Sequence, residues 1–425
     1  MKNKAVRLYG KNDLRLEEFE LPAIKDDEVL VKIISDSICM STYKLLIQGQ
    51  AHKRAPENLA THPVIIGHEF AGEIAQIGSK WRDQFEVGER FVQQPALNYH
   101  GSLASPGYSY EFCGGSSQYA IMPPEVMELG CLYRYDGDAY YESSLSEPFC
   151  CVVGGYNAMY HTNKQNYQHS QGVRPEGNLI ILGGAGPMGF GAIEYALALK
   201  NRPKRVVVTD IDDARLARAE QLIPIAKARQ AGVDLHYVNT SDLSDQYQYL
   251  MNLTDQHGYD DVFVYAPVKE LAEMGDRLLA FDGCLNFFAG PSDPNWKSEI
   301  NLYNCHYLST HIMGSTGGNI DDQKESVQLF AEHKINPAVM ISHICGLDSI
   351  PEVIPNLPKY SAGKILTYPA VNFPLSAIND FEYLSTTDTI YADLYQSLHQ
   401  SCFEHQGLWN AEAEQILLDA LVKDQ

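Results

Sequence analysis

The chain has 425 residues, of which 45% are hydrophobic and 20% charged, so it is long enough for two or three domains with a large core. Its net charge of −22 argues against nucleic acid or an anionic membrane as a partner, because both would be repelled. No apolar run reaches the roughly 18 residues that a membrane span needs, and the N-terminus lacks the apolar core of a signal sequence, so we expect a cytoplasmic protein.

The N-terminal part of the chain is predicted to be rich in β-strands. Residues Lys4–Ile38 alternate between apolar and polar side chains, and further strand-like runs follow in VIIGHEFAGEIAQIG, VGERFVQQP and SSQYAIMPP. Cys39 directly follows the first strands, and His68 and Glu69 stand where the strand of the second run ends. Taken singly, Cys39 and His68 would more often be ordinary buried residues, whereas an unpaired buried carboxylate at Glu69 would be costly. Together, thiolate, imidazole and carboxylate suit a zinc ion with one position left open.

A second carboxylate of interest precedes a proline farther along the chain. The segment Tyr141–His161 has helical spacing interrupted by Pro148, and Glu147 stands directly before that proline. We predict that this segment leads from the first domain into the next. The nine cysteines form no C-x-x-C pair, so most of them are expected to be free and buried.

The stretch Asn178–Asp210 has the pattern of a dinucleotide-binding unit. An apolar run is followed by glycines at G-x-G-x-x-G spacing, an apolar helical stretch and a β-branched run that ends on Asp210. In such a unit the glycines allow a sharp turn, the approach of a pyrophosphate to the backbone, and close packing of the helix on the strand. The unpaired N–H groups at the start of the helix suit a diphosphate. The predicted cofactor-binding residues are Gly184, Gly186, Pro187, Met188, Gly189, Asp210 and Arg215.

The acid at the end of this unit predicts which nicotinamide cofactor is bound. A carboxylate about 20 residues after the glycines can accept hydrogen bonds from the ribose hydroxyls, and it would repel a 2′-phosphate. NAD(H) is therefore expected in preference to NADP(H). Arg205 and Arg215 are near enough to Asp210 in sequence to reduce the repulsion, which keeps NADP(H) as the alternative.

After Asp210 the sequence predicts further strands of a parallel sheet, and the pattern of apolar residues then changes. Runs such as HYVN, DVFVYAP and CLNFFAG alternate with helical stretches, which indicates a doubly wound parallel sheet. From about Met313 the sequence predicts a loop and an amphipathic helix, and SAGKILTYPA predicts a loop and a strand. Beyond Val371 the chain is mostly amphipathic helix, which forms a C-terminal extension.

Several motifs resemble those of the zinc-dependent medium-chain dehydrogenases and occur in the same order. They are ICMST, GHEFAGEI, VGERF, SEPF, LGGAGPMG with TDIDDARL, and SAGKILTYP, and they cover the chain up to about Val371. The SEPF motif resembles the sorbitol and polyol branch, in which a glutamate before proline stands at the metal site in place of a cysteine. The runs AVRLYGKNDLRLE, PVIIGHEF and GGYNAMYH resemble proteins that interconvert L-sorbose 1-phosphate and D-glucitol 6-phosphate.

The resemblance implies an α/β fold with two domains. One is a Rossmann domain with a doubly wound parallel sheet, and the other is a GroES-like, β-rich catalytic domain built from both chain ends. The expected boundaries are 1–151 for the first part of the catalytic domain, 152–312 for the Rossmann domain, and 313–425 for the second catalytic part with its helical extension. The resemblance also implies a homodimer or homotetramer that assembles through the nucleotide domain.

Three departures from the family pattern affect the site. The usual C-G-[ST]-D motif reads CMST here, so the glycine and the aspartate are replaced. The lobe that often carries four structural cysteines has only Cys113 between Arg90 and Ala120, and one thiolate cannot form a closed tetrahedral site. We therefore expect one catalytic zinc ion and no structural zinc. The position of the usual relay histidine is occupied by Lys44.

The implied reaction is hydride transfer between the nicotinamide and a carbonyl carbon held at the zinc ion. Cys39 and His68 are expected to bind the metal directly, and Glu69 and Glu147 either directly or through water. Ser41 is expected to pass the proton and Lys44 to continue the relay, although Ser41 could instead only cap a helix. The alternatives are a non-catalytic dinucleotide-binding protein, and a dehydrogenase of an unphosphorylated polyol, a vicinal diol or threonine.

A basic segment after Cys39 predicts where a substrate phosphate would bind. A sugar phosphate carries close to two negative charges, so a chain with a net charge of −22 needs positive charge near it. No acidic residue lies between Cys39 and Pro56. The candidates are Lys44, His52, Lys53 and Arg54, with a solvated basic loop as the alternative.

Overall fold

The computed structural model describes residues 1–360 and 363–421, and these form two compact units. Unit 1 comprises Met1–Glu147 and Ile341–Gln425, and unit 2 comprises Pro148–Met340. The first two residues of the SAGKILTYP run, Ser361 and Ala362, lie outside the described residues. Within the described ranges, none of the helices combines the length and the apolar character that a bilayer crossing requires.

The first part of unit 1 is mainly β-structure. Its strands are β1 (Lys2–Gly10), β2 (Asp13–Glu20), β3 (Val29–Ser37), β4 (Val64–Ile65), β5 (Phe70–Ile77), β6 (Arg90–Gln93), β7 (Tyr119–Met122) and β8 (Leu132–Arg134). Its helices are α1 (Met40–Gln48), α2 (Pro124–Glu128) and α3 (Tyr140–Asn157), the last of which runs across the boundary into unit 2. Strand β3 is buried along most of its length, and its Val31 and Ile33 pack with Ile74 of β5 in one apolar cluster.

Unit 2 is built around a parallel sheet. Its strands are β9 (Tyr160–Asn163), β10 (Gln168–Gln171), β11 (Asn178–Leu182), β12 (Arg205–Asp210), β13 (Asp234–Asn239), β14 (Tyr259–Val264), β15 (Leu279–Phe287) and β16 (His311–Gly314). Its helices are α4 (Pro187–Ala198), α5 (Asp213–Leu222), α6 (Ile225–Gln230), α7 (Gln246–Asn252), α8 (Lys269–Leu278), α9 (Leu302–Tyr307) and α10 (Ile320–Ala331). The six-stranded sheet has the order β13-β12-β11-β14-β15-β16 with parallel pairing, as in a doubly wound fold.

The chain then returns to unit 1. The remaining elements are β17 (Ile341–Gly346), α11 (Ile350–Asn356), β18 (Lys364–Tyr368), β19 (Ser376–Ala377), α12 (Phe381–Thr387), α13 (Ala392–Glu404) and α14 (Ala411–Leu421). Strands β17, β18 and β19 join β3, β5, β6, β7 and β8 in an eight-stranded sheet, and β18 pairs antiparallel with β3. This eight-stranded sheet is thus built from both parts of unit 1, whereas β2, β1 and β4 form a separate three-stranded sheet.

The observed boundaries between the units differ from the predicted ones. The sequence predicted a return to the catalytic domain at Met313, whereas the structure places residues 313–340 in unit 2. The reason is that β16 pairs with β15 as the sixth strand of the parallel sheet, and α10 bonds to unit 2 through Asn157 and Asp322 (2.9 Å). Strand β16 has only four residues with alternating exposure, so its sequence carries a weak β-pattern.

Candidate active site

The predicted metal ligands lie at the adjoining ends of two antiparallel strands. Asp36 of β3 pairs with Phe70 of β5, so the chain leaving β3 and the chain entering β5 are neighbours. Cys39 follows β3 at the N-cap position of α1, and His68 and Glu69 directly precede β5. One ligand atom from each of these three residues lies within 4.8 Å of the other two. The structure therefore brings Cys39, His68 and Glu69 together.

Glu69 has a buried partner that the sequence analysis did not identify. Its Oε2 atom lies 2.5 Å from Nζ of Lys364, and both side chains are buried. The hydroxyl of Ser37 donates a hydrogen bond to the same oxygen. Oε1 of Glu69 lies 4.0 Å from Nε2 of His68. One carboxylate oxygen of Glu69 is thus bonded to Lys364 and Ser37, and the other lies on the side of His68.

Glu147 is buried near this group without belonging to the three-residue ligand set. Burial, followed by the charge of Glu69, raises the pKa of Glu147 to about 8 and that of Asp36 to about 7. Burial and Glu69 also raise the pKa of the Cys39 thiol. The charge of Lys364 does not balance these acids, and a divalent cation would. A thiolate, an imidazole and carboxylates are donors that zinc accepts. The residues present therefore fit the zinc ion that the motifs imply.

Ser41 and Tyr108 place two hydroxyl groups next to the metal donors. The Ser41 hydroxyl donates to Sγ of Cys39 (3.0 Å) and accepts a hydrogen bond from the Tyr108 hydroxyl (2.7 Å). Both oxygens lie 3.3 Å from Nε2 of His68. The structure thus places the Ser41 hydroxyl beside Cys39 and His68, and it adds Tyr108 as a neighbour.

The basic segment packs on the other side of Tyr108. The His52 ring stacks on the Tyr108 ring at 5.5 Å, and the Arg54 guanidinium lies 5.4 Å from its centroid. Burial, and then the charges of Arg54, Lys53, His68 and Lys44, lower the pKa of His52 to about 4. Lys44 is half-buried on α1, and burial lowers its pKa too. His52 is therefore neutral near pH 7, and the positive charge of this segment comes from Lys44, Lys53 and Arg54.

The glycine turn has the geometry that a dinucleotide requires. A Cβ at Gly189 would lie 1.8 Å from the carbonyl oxygen of Gly184, so this position has room only for glycine. A Cβ at Gly186 would meet no atom within 4 Å, which leaves the backbone accessible to a ligand. Gly186 is the N-cap of α4, and Pro187 and Met188 form its first turn without a side-chain cap. The turn therefore fits the diphosphate of a nicotinamide cofactor.

Asp210 lies where the sequence predicted it, at the end of β12. Its carboxylate accepts hydrogen bonds from the N–H groups of Ala185 (3.3 Å) and Ile211 (2.9 Å), which hold it beside the glycine turn. Arg215 lies near the start of α5, close to Asp210 in sequence, and its Nε atom is 3.8 Å from Oδ2 of Asp212. Arg205 lies at the opposite end of β12 and pairs with Asp234 (2.9 Å), so it is not placed to offset the charge of Asp210.

Three residues of the site were missed by the sequence analysis. Lys364 could have been found, because a lysine that begins the apolar run KILTY requires a buried partner. Tyr108 stands in an irregular loop and Asp36 in an ordinary strand, and neither position carries a local pattern. Cys113, the remaining cysteine of the lobe between Arg90 and Ala120, is buried in the core of unit 1.

Comparisons with known proteins agree with this structure. Residues 25–129 match the family model described as alcohol dehydrogenase GroES-like domain, and residues 187–332 match that of zinc-binding dehydrogenase. The mannitol-1-phosphate 5-dehydrogenase of Aliivibrio fischeri is 46% identical over 98% of this chain and 97% of its own length. The L-sorbose 1-phosphate reductase of Klebsiella pneumoniae is 42% identical over 97% of both chains.

A solved structure shows the same fold. The 2R,3R-butanediol dehydrogenase of Bacillus subtilis superposes with a TM-score of 0.70 at 21% identity, over 86% of this chain and 99% of its own. The predicted combination of a Rossmann domain and a GroES-like domain is thereby confirmed. By its family matches and its full-length relatives, the chain belongs to the zinc-dependent medium-chain dehydrogenases, oxidoreductases that use zinc and a nicotinamide cofactor.

Proposed function

We propose that this enzyme interconverts a ketose phosphate and a hexitol phosphate, with L-sorbose 1-phosphate and D-glucitol 6-phosphate as the reacting pair. NAD(H) is the preferred cofactor in this proposal, and one zinc ion per chain serves catalysis. The names of the two relatives described above both specify a phosphorylated substrate, which supports the class. The mannitol-1-phosphate 5-dehydrogenase is the more similar of the two, so its substrate is the second candidate.

The observation that carries the proposal is the positive charge around Tyr108. Within the described part of the chain, neither Lys53 nor Arg54 forms an ion pair with a carboxylate, although the protein has a net charge of −22. Tyr108 connects this segment to the metal donors, because its ring contacts both His52 (5.5 Å) and His68 (4.8 Å). A phosphate group is the part of the substrate that would bind Lys53 and Arg54, through charge-assisted hydrogen bonds.

The side chains of the site bind and position the groups that react. When bound, zinc polarises the ketone carbonyl, and the nicotinamide donates the hydride. Cys39 and His68 would hold the metal, with Glu69 and Glu147 binding directly or through water, and Lys364 keeps one oxygen of Glu69 in place.

Ser41 donates the proton to the substrate oxygen in the reductive direction. The proton that Ser41 gives up is replaced by Lys44, which lies one turn farther along α1 on the same face. The Tyr108 hydroxyl, which donates to Oγ of Ser41 (2.7 Å), orients the Ser41 hydroxyl.

The substrate class is tested by assaying the purified enzyme with each reduced nicotinamide. The substrates are L-sorbose 1-phosphate, D-fructose 6-phosphate and the two free ketoses. We expect the phosphorylated ketoses to be reduced with a much higher kcat/KM than the free sugars. Equal efficiency on free and phosphorylated ketoses would contradict the proposed substrate class.

The phosphate-binding residues are tested by the double variant Lys53→Ala/Arg54→Ala. The KM for the phosphorylated ketose should rise at least about tenfold, because two charge-assisted contacts are lost. Activity on free L-sorbose should change little. The control is Lys80→Ala/Arg82→Ala, which also removes two positive charges from unit 1 at exposed positions. Equal losses on both substrates would show that the segment supports the fold and does not bind the phosphate.

A further inference from the structure

The C-terminal extension of unit 1 contains a glutamate that contacts two elements of the site. Glu414 lies on α14 and is only 3% exposed. Its carboxylate accepts hydrogen bonds from the backbone N–H groups of Tyr140 (2.7 Å) and Tyr141 (2.9 Å). These two residues are the first of α3, the helix that carries Glu147. The extension therefore supplies the acceptor for the start of this helix.

The first part of α3 needs such an acceptor. The first N–H groups of a helix have no partner within the helix, and Pro148 cannot donate a hydrogen bond back to Ser144. The stretch Tyr140–Glu147 is thus about two turns long, too short to be stable by itself. A carboxylate at its N-terminus satisfies the N–H groups and interacts favourably with the helix dipole.

The same carboxylate is also bonded to the strand that carries Lys364. The Tyr368 hydroxyl donates to Oε1 of Glu414 (2.9 Å) and accepts a hydrogen bond from Nε1 of Trp409 (2.8 Å). Tyr368 ends β18 and Lys364 begins it, and the strand period of two places both side chains on one face. Lys364 is the partner of Glu69. Glu414 thus holds the element that bears Glu147 and the element that supports Glu69.

Glu414 is expected to be ionised at mildly alkaline pH. Burial raises its pKa to about 7, and the hydrogen bonds from Tyr368, Tyr140 and Tyr141 act in the opposite direction. All three of these groups donate to it, which favours the carboxylate.

We infer that Glu414 is a positioning residue for the metal site, and that the C-terminal extension sets the placement of Glu147 and Lys364 through it. This inference rests on the proposed function in one respect, because it counts Glu147 among the metal-binding groups.

The first experiment compares Glu414→Gln with wild type at pH 8. Glutamine has the same shape, but it loses the charge and turns an N–H₂ group towards backbone donors. Zinc affinity, measured by chelator competition, should fall on the order of tenfold, as it does when outer partners of metal ligands are removed. The visible absorption of the cobalt-substituted protein should also change, because it reports ligand geometry. Glu412→Gln on the same helix is the matched control, and it should leave the zinc affinity and the cobalt absorption unchanged.

A purely structural role gives a different result. If Glu414→Gln lowers the melting temperature while zinc affinity and the cobalt spectrum stay as in wild type, the inference is overturned. The variant Glu147→Gln distinguishes a failure of the positioning role from a failure of the proposed function. If Glu147→Gln weakens zinc binding and Glu414→Gln does not, only the positioning role fails. If Glu147→Gln has no effect on zinc binding, the assignment of Glu147 to the metal site fails.

A measurement on the wild-type protein covers the case in which the variant does not fold. Coupling between two sites is reciprocal, so zinc loading should slow hydrogen exchange at the amides of Tyr140 and Tyr141. The amides of α2 are not among the groups that donate hydrogen bonds to Glu414 in the described residues, and they provide the internal reference. Unchanged exchange at Tyr140 and Tyr141 on zinc loading would contradict the inference.

Discussion

At the scale of single residues, the site combines buried acids with one buried lysine and a tyrosine. Lys364 bonds to Glu69 across 295 positions of sequence, and Tyr108 bonds to Ser41 across 67. Removing one partner of a buried ion pair leaves an uncompensated charge, which is strongly destabilising. This explains why a lysine occurs among otherwise apolar residues in β18.

Asp210 is expected to decide the cofactor preference. Its carboxylate is held beside the glycine turn by backbone N–H groups, and Arg205 is paired elsewhere. In Asp210→Ala the KM for NADH should rise about tenfold, because a charge-assisted hydrogen bond to the ribose is lost. The KM for NADPH should stay similar or fall. Steady-state kinetics with both cofactors checks this.

The control for Asp210 is Asp213→Ala, which removes a nearby exposed charge at the start of α5. Comparable kcat/KM values for NADH and NADPH in wild type, unchanged in Asp210→Ala, would show that this carboxylate does not select the cofactor.

At the scale of elements, the contact between β11 and α4 depends on two glycines with different roles. At Gly189 an added methyl group would overlap the carbonyl of Gly184, whereas at Gly186 it would enter open space. Gly189→Ala should destabilise unit 2 by about 1–3 kcal/mol or more through overpacking, and thus lower its melting temperature. Gly186→Ala should keep the wild-type melting temperature and lose affinity for the dinucleotide.

Thermal denaturation and NADH fluorescence titration of the two glycine variants provide the measurement. Equal melting temperatures for both variants would show that α4 can move away from the turn at little cost. Wild-type NADH affinity in Gly186→Ala would show that the diphosphate does not approach this part of the backbone.

At the scale of the whole molecule, each unit has an apolar core of its own, so we expect the fold not to depend on the metal. Unit 1 has an apolar cluster around Val31, Phe70 and Phe91, and unit 2 has one around Ile180 and Val262. Cores of this size make a domain stable without a structural ion, unlike small zinc-dependent domains. We expect metal-free protein to remain folded and the catalytic site to hold one zinc ion per chain.

Metal analysis and melting temperatures with and without chelator test this expectation. Cys39→Ala should lose the zinc ion and the activity while keeping a cooperative unfolding transition. Cys113→Ala removes the cysteine that lies between Arg90 and Ala120, and this variant should keep one zinc ion per chain. Two tightly bound zinc ions per wild-type chain, or full activity in Cys39→Ala, would refute the single catalytic site.

The amino-acid sequence by itself determined the fold class, the glycine turn with Asp210, and the grouping of Cys39, His68 and Glu69. These features follow from short segments, because a glycine turn needs only its own residues and ligands at strand ends are aligned by the pairing of β3 with β5. Alternating and helical periodicity is likewise local, so it predicts elements well.

The tertiary structure alone decided where unit 2 ends, that Tyr108 lies beside Ser41 and His68, and which residues the C-terminal extension contacts. Lys364 meets Glu69, and Glu414 meets Tyr140, across 295 and 274 positions of sequence. Such pairs leave no periodic pattern, because each residue needs only a partner of matching charge that the chain topology brings within reach. The sequence shows that a buried acid or lysine must have a partner, and only the folded chain shows which residue it is.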